Sequence, residues 1–215
     1  MKCGTLREND VSTSTILVDL KVGKVPVSFR EDEDGLFSET RQIPAVFGPP
    51  FDRGAAAEAL GFEATELEPD PPIQTVSTGL PFVIVPIKHL NTLQSLDLDL
   101  IKAYDYLKEQ QAGTSGFYFI TRDTGDPGIS LRARAIFLNG EDPATGSAAG
   151  CTSAWMVKYG VARPEENVVI LRGVEIKRPS KLFVRSSKSG AEVSNTRVGG
   201  NAVPIMEGEA TLAKK

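Results

Sequence analysis

Apolar and polar positions alternate early in the chain: Ile16-Leu17-Val18-Asp19-Leu20 and Val25-Pro26-Val27-Ser28-Phe29 are short, β-branched runs joined near Gly23, and they predict a hairpin. Glu31-Asp32-Glu33-Asp34-Gly35 reads as a charged turn, and Phe47-Gly48-Pro49-Pro50 closes the next stretch with strong breakers. A short helix is predicted over 52–60, rich in alanine, with Asp52 as N-cap and Gly61 as its stop. Residues 62–72 combine four acids with three prolines, the composition of an extended connector, and a domain boundary is expected there.

Beyond the connector the pattern predicts strands over 73–77 and 82–87 with a turn at Gly79, then a helix over 97–110 in which Leu100, Ile101, Tyr104 and Leu107 recur at helical spacing. Strands follow over 117–121 and 129–137. In the second of these Arg132 and Arg134 alternate with small apolar residues, so one face is wet or meets acids. A run of small residues over 144–159 reads as a buried helix, and further strands are expected over 168–171, 181–185, 191–198, 203–206 and 209–212. No repeat of solenoid length occurs.

Composition narrows the function. Glycine and proline together make 34 of 215 residues, which favours a strand-rich chain with many turns. The net charge of −4 is split into −9 over residues 1–150 and +5 over 151–215, so no basic field exists to hold a nucleic acid or an anionic membrane. Cys3 and Cys151 cannot make a disulfide framework or a four-ligand zinc site. The longest apolar run, Phe82 to Ile87, is far short of a membrane span, and the start lacks a signal-like apolar segment. The expected location is the cytoplasm.

Asn139-Gly140-Glu141-Asp142-Pro143-Ala144-Thr145-Gly146-Ser147-Ala148-Ala149-Gly150 lies between a strand and a helix. Asp142 or Thr145 can cap that helix, Pro143 suits its first turn, and Gly146 lets a ligand approach bare backbone amides. A helix start with extra donors from Thr145 and Ser147 favours a carboxylate or phosphate. The same small residues also suit a helix sheathed tightly by strands. The run lacks the Gly-Lys-Ser/Thr of a phosphate loop and the Gly-x-Ser-x-Gly of a serine hydrolase. The single histidine, His89, reads as a loop or helix-start residue, and Cys151 as a small core residue.

Glu141 to Ala148 resembles the signature of the phenazine-biosynthesis-protein family of isomerases, related in fold to diaminopimelate epimerase. Ser77 to Pro86, Val198-Gly199-Gly200-Asn201-Ala202-Val203 and Val22 to Val27 resemble further segments of that family in the same order. The resemblance implies an α+β fold of two strand-rich, barrel-like units, each wrapped around a central helix, with the first unit incomplete. The expected division is 1–72 for a remnant of the first unit plus connector, 73–205 for the second and 206–215 for a tail. The implied activity is proton transfer on a small carboxylic acid, by isomerisation or epimerisation, with no cofactor and no metal. It places Asp142 beside the reacting carbon and Thr145, Gly146 and Ser147 on the substrate carboxylate, with Gly79, Leu80 and Gly200 as cleft walls. A homodimer is also implied. The family's early segments with its catalytic glutamate are not found in register, and Ser38-Glu39-Thr40 reads as a hairpin turn rather than their equivalent. A second reading follows: a catalytically inactive, truncated relative that binds a small carboxylate or a partner chain.

Overall fold

The computed structural model describes residues 14–203, apart from 22, 34 and 115, and residue 208. In chain order the elements are β1 (Ser14–Leu20), β2 (Gly23–Asp32), β3 (Gly35–Arg41), β4 (Val46–Pro50), α1 (Arg53–Leu60), β5 (Gln74–Ser77), β6 (Pro81–Pro86), α2 (Leu90–Gln94), α3 (Leu100–Glu109), β7 (Gly116–Thr121), β8 (Leu131–Phe137), β9 (Gly140–Asp142), α4 (Gly146–Tyr159), β10 (Val168–Arg172), β11 (Ser180–Ser189) and β12 (Glu192–Ala202). The strands make one mixed sheet in the order β1-β2-β3-β12-β11-β10-β8-β7-β6-β5-β4, with β9 paired to β8.

Two parallel pairs set the layers, because a parallel pair needs a crossover. The β6 to β7 crossover carries α2 and α3, and the β8 to β10 crossover carries α4. The two crossovers pack on opposite faces. Val76, Phe82, Ile84, Tyr118, Ala133 and Ala135 face α4, whereas Val83, Val85, Phe117 and Phe119 meet α1, Leu93, Ala103 and Leu107. β6 and β7 are therefore covered on both sides, which is why they read as unbroken apolar runs.

Chain connectivity forces the sheet to curl. β3 and β4 stand eight strand spacings apart in the order, about 38 Å if the sheet were flat. Four residues, 42–45, join them, a reach of about 18 Å. The sheet closes around α4 instead, and Gln42 bridges the seam: its N–H donates to Thr196 O on β12 at 2.8 Å, and its Oε1 accepts from Thr78 Oγ1 after β5 at 3.5 Å.

Several expectations hold with shifted limits. The β1–β2 hairpin forms with Leu20 opposite Gly23. Asp52 caps α1 by accepting from Ala55 N at 2.8 Å, and Gly61 ends that helix at φ 76°. The helix expected over 97–110 starts at Leu100, because Asp99 takes the cap, and α2 precedes it as a separate turn begun at His89. Pro49 and Pro50 lie within β4 rather than breaking it; β4 is the last strand of the sheet, where a missing N–H costs nothing. β2 and β3 extend into the acidic segment as far as Asp32, which pairs with Gly35. Ser38-Glu39-Thr40 is strand, not turn: Glu39 stands opposite Ser28 on β2 and Gly199 on β12. The strands expected over 203–206 and 209–212 lie outside the described residues, except that Val203 is described and belongs to no strand. No helix among the described residues is long and apolar enough to cross a membrane.

Candidate functional site

α4 is buried without interruption from Ala148 to Val157, so its sequence must be small where strands approach. Gly150 shows the limit. A Cβ there would lie 3.1 Å from Gln42 Cγ and 3.2 Å from both Thr78 Oγ1 and Val198 Cγ2. The first turn differs from the rest of the helix, because Gly146 and Ser147 are half-buried and Ala144 is exposed.

That turn is left without a side-chain cap. Thr145 occupies the N-cap position with extended backbone, yet its hydroxyl donates to Asp142 Oδ2 at 2.5 Å instead of accepting from the helix. Asp142 Oδ1 accepts from Ala144 N at 3.4 Å. The amides of Gly146, Ser147 and Ala148 are those that a helix cannot satisfy internally, and the macrodipole adds about half a positive charge to them. The arrangement can hold an anion beside a fixed carboxylate.

The surrounding walls come from distant segments. The β5–β6 turn sits on α4: Thr78 Oγ1 donates to Ser147 O at 3.4 Å, and Cys151 Sγ donates to Leu80 O at 3.5 Å. Gly79 takes φ 127°, which glycine tolerates, and Leu80 is 53% exposed. Val198 of β12 packs on Gly146 and Gly150, and Gly200 follows it on the same face by strand alternation. The fold thus brings Asp142, Thr145, Gly146 and Ser147 together with the Gly79-Leu80 turn, and sets Gly200 one step beyond Val198.

Neighbouring charges are tied up. Arg134 holds Glu141 through Nη2 at 2.7 Å and Nε at 3.2 Å to both oxygens, and its Nη1 donates to Leu93 O at 3.1 Å and Gln94 O at 3.3 Å. Arg132 pairs with Glu175. The expectation that this strand's arginines meet acids is met. Burial pushes the Cys151 thiol up to about 11, so it stays protonated at neutral pH and acts as a core residue. Glu39 pairs with Arg185 at 3.0 Å through both oxygens. It shares the face of Gly199, opposite to the face that Val198 turns to α4. Among the described residues no group of three or more His, Cys, Asp or Glu is placed to hold a metal ion.

Sequence reasoning missed Gln42, Thr78, Tyr118 and Arg172. Arg172 Nη2 donates to the carbonyl of Asp142, and a Cβ on Gly173 would lie 3.1 Å from Pro143 O. β10 therefore backs the loop that leads into α4. The sequence carries one faint signal for this, a glycine directly after the arginine that ends a strand.

A family model described as phenazine biosynthesis-like protein matches residues 3–208. The chain belongs to this family. A trans-2,3-dihydro-3-hydroxyanthranilate isomerase of Pseudomonas aeruginosa is 26% identical over 200 residues, covering 92% of this chain and 67% of that protein. The solved phenazine biosynthesis protein of Bacillus anthracis superposes with a TM-score of 0.79 at 25% identity, over 97% of this chain and 73% of that one. A hydroxyproline epimerase of Agrobacterium vitis, solved with bound trans-4-hydroxy-L-proline, shares the fold alone, with a TM-score of 0.58 and 12% identity over 91% of this chain and 58% of that one. The α+β, epimerase-like class and the isomerase family are thereby established. The chain spans 65% to 70% of the length of curated relatives that it matches, among them the isomerase of Pseudomonas aeruginosa.

Proposed function

We propose that the chain acts as an isomerase or epimerase on a small carboxylic acid, moving a proton between carbon positions without a cofactor. The observation that carries this reading is the uncapped first turn of α4, where Thr145 turns its hydroxyl onto Asp142 and leaves the amides of Gly146 and Ser147 facing a half-open surface. A substrate carboxylate accepting from those amides lies next to the Asp142 carboxylate. Asp142 Oδ2 is occupied by Thr145, whereas Oδ1 accepts only a long bond from Ala144 N at 3.4 Å and is the oxygen placed to take a proton from the adjacent carbon and return it to another. The similar hydroxyanthranilate isomerase of Pseudomonas aeruginosa is named for a reaction on a carboxylic acid, as is the hydroxyproline epimerase that shares the fold.

Incubation of the purified chain in D2O with trans-2,3-dihydro-3-hydroxyanthranilate or with hydroxyproline, followed by NMR, tests the reading. Deuterium uptake at carbon that is lost in Asp142→Asn is expected. Undiminished uptake in Asp142→Asn removes Asp142 from the mechanism.

One observation favours a second reading, that the chain binds a carboxylate without turning it over. Among the described residues beside the first turn, Glu141 is engaged by Arg134 and the Cys151 thiol is held protonated, so neither serves Asp142 as a second base. Saturable carboxylate binding with no deuterium uptake for any acid tried selects this reading.

A further inference from the structure

Arg172 stands apart from the other arginines of the sheet that are wholly or partly buried. Arg132, Arg134, Arg185 and Arg197 each pair with a glutamate. Arg172 is 0% exposed and, among the described residues, has no carboxylate within ion-pair distance. It ends β10 on the same face as Val168 and Ile170, pointing toward α4 in the space left by Ala133 and Ala135. One nitrogen, Nη2, donates to the Asp142 carbonyl, and the guanidinium lies 5.2 Å from the centroid of the Tyr118 ring. Its Nε and Nη1 are buried without a well-formed hydrogen bond among the described residues, and the polar group against this guanidinium is the buried Tyr118 hydroxyl.

One bond to a carbonyl does not call for a charge; a neutral amide could donate it at far lower desolvation cost. What the guanidinium adds is a positive charge directly behind the loop that delivers Asp142 and the first turn of α4. A carboxylate bound there meets the negative Asp142, and the helix start offsets only about half a charge. A full positive charge in the wall offsets the remainder.

We propose that Arg172 is a further determinant of anion binding at this site, acting through its charge from behind the Asp142–Thr145 loop. The proposal rests on the reading of α4's first turn as a carboxylate site. A unit charge several ångströms away at an effective dielectric near 20 changes the affinity for a carboxylate by a factor of about ten or more.

The test uses the 15N-labelled full chain titrated with benzoate, following the backbone amides of Gly146, Ser147 and Ala148. Arg172→Gln keeps a donor for the Asp142 carbonyl and drops the charge, whereas Arg172→Lys keeps the charge. Benzoate is expected to shift those amides in the parent and in Arg172→Lys, and to bind Arg172→Gln at least about tenfold more weakly. Equal affinity in the parent and a folded Arg172→Gln overturns the proposal while leaving the carboxylate site standing. No shift of those amides in the parent overturns the carboxylate reading and the proposal with it. Should Arg172→Gln lose its dispersed amide spectrum, Arg172→Lys decides: retained binding supports the role of charge, and loss of binding in a folded lysine variant overturns it.

Discussion

Glu141→Leu should destabilise the fold by about 3 kcal/mol, through the arginine it abandons rather than the contact it loses. The side chains of Arg134 and Glu141 are 11% and 8% exposed and share three contacts between 2.7 and 3.2 Å. Removing one partner of such a pair costs roughly 3–5 kcal/mol, because the other charge stays buried and unpaired. Two carbonyl bonds to Leu93 and Gln94 remain to the guanidinium, which puts the cost at the low end of that range. Removing both charges, in Arg134→Met with Glu141→Leu, ends the desolvation of both groups and forfeits only the two carbonyl bonds, about 1 kcal/mol each. The double variant should therefore lie within about 2 kcal/mol of the parent and above the single variant. Urea unfolding with a constant m-value gives all four corners of the cycle. A single-variant cost below about 1 kcal/mol, the value of an exposed pair, or plain additivity across the cycle, refutes the argument. Because β9 carries both Glu141 and Asp142, the same variant should weaken carboxylate binding at α4.

Other outcomes follow from the packing. Gly199→Ala places a Cβ 2.5 Å from Phe37 Cζ and 2.9 Å from Ser38 O, and should cost about 2 kcal/mol in urea unfolding; Phe37→Leu added to it should recover part of the loss, and no recovery would mean that the backbone contact dominates. Gly173→Ala sets an alanine at φ 72° against Arg178 O, and should lower thermal stability by several degrees while shifting the amides of 142–148; unchanged shifts there would separate β10 from the loop. The Cys151 thiol sits at about 11 in the folded chain against an ordinary 9.0, so the folded state holds the proton longer than the unfolded state does. Its contribution to stability is complete below about pH 9 and falls as pH rises toward about 11, and this part of the decline should disappear in Cys151→Ala when unfolding is compared across that range.

The elements themselves were legible where one face alone decides them. The alternation in 16–20 and 25–29, the alanine-rich turn capped by Asp52 and the small-residue helix after Asp142 all follow from local patterning, and the run from Glu141 to Ala148 marked where that helix starts. Elements that depend on neighbours were not legible. Pro49 and Pro50 form a strand because β4 is an edge, and β9 exists because Asp142, Glu141 and Gly140 meet Ala135, Ile136 and Phe137 across the end of β8. Glu39 lies mid-strand because β12 returns from the far end of the chain to pair with β3.

By itself the sequence determined the chemistry on offer: a carboxylate, two hydroxyls and bare amides within six residues, because capping and helix polarity act over one turn. Only the tertiary structure decided how those groups are used. The curling of the sheet around α4 brought Thr78, Leu80 and Val198 against its first turns, turned Thr145 onto Asp142, and put the unpaired charge of Arg172 behind both. Apart from the local Thr145–Asp142 bond, these contacts join residues 30 or more positions apart, and their geometry is fixed by strand order and closure, which no local pattern records.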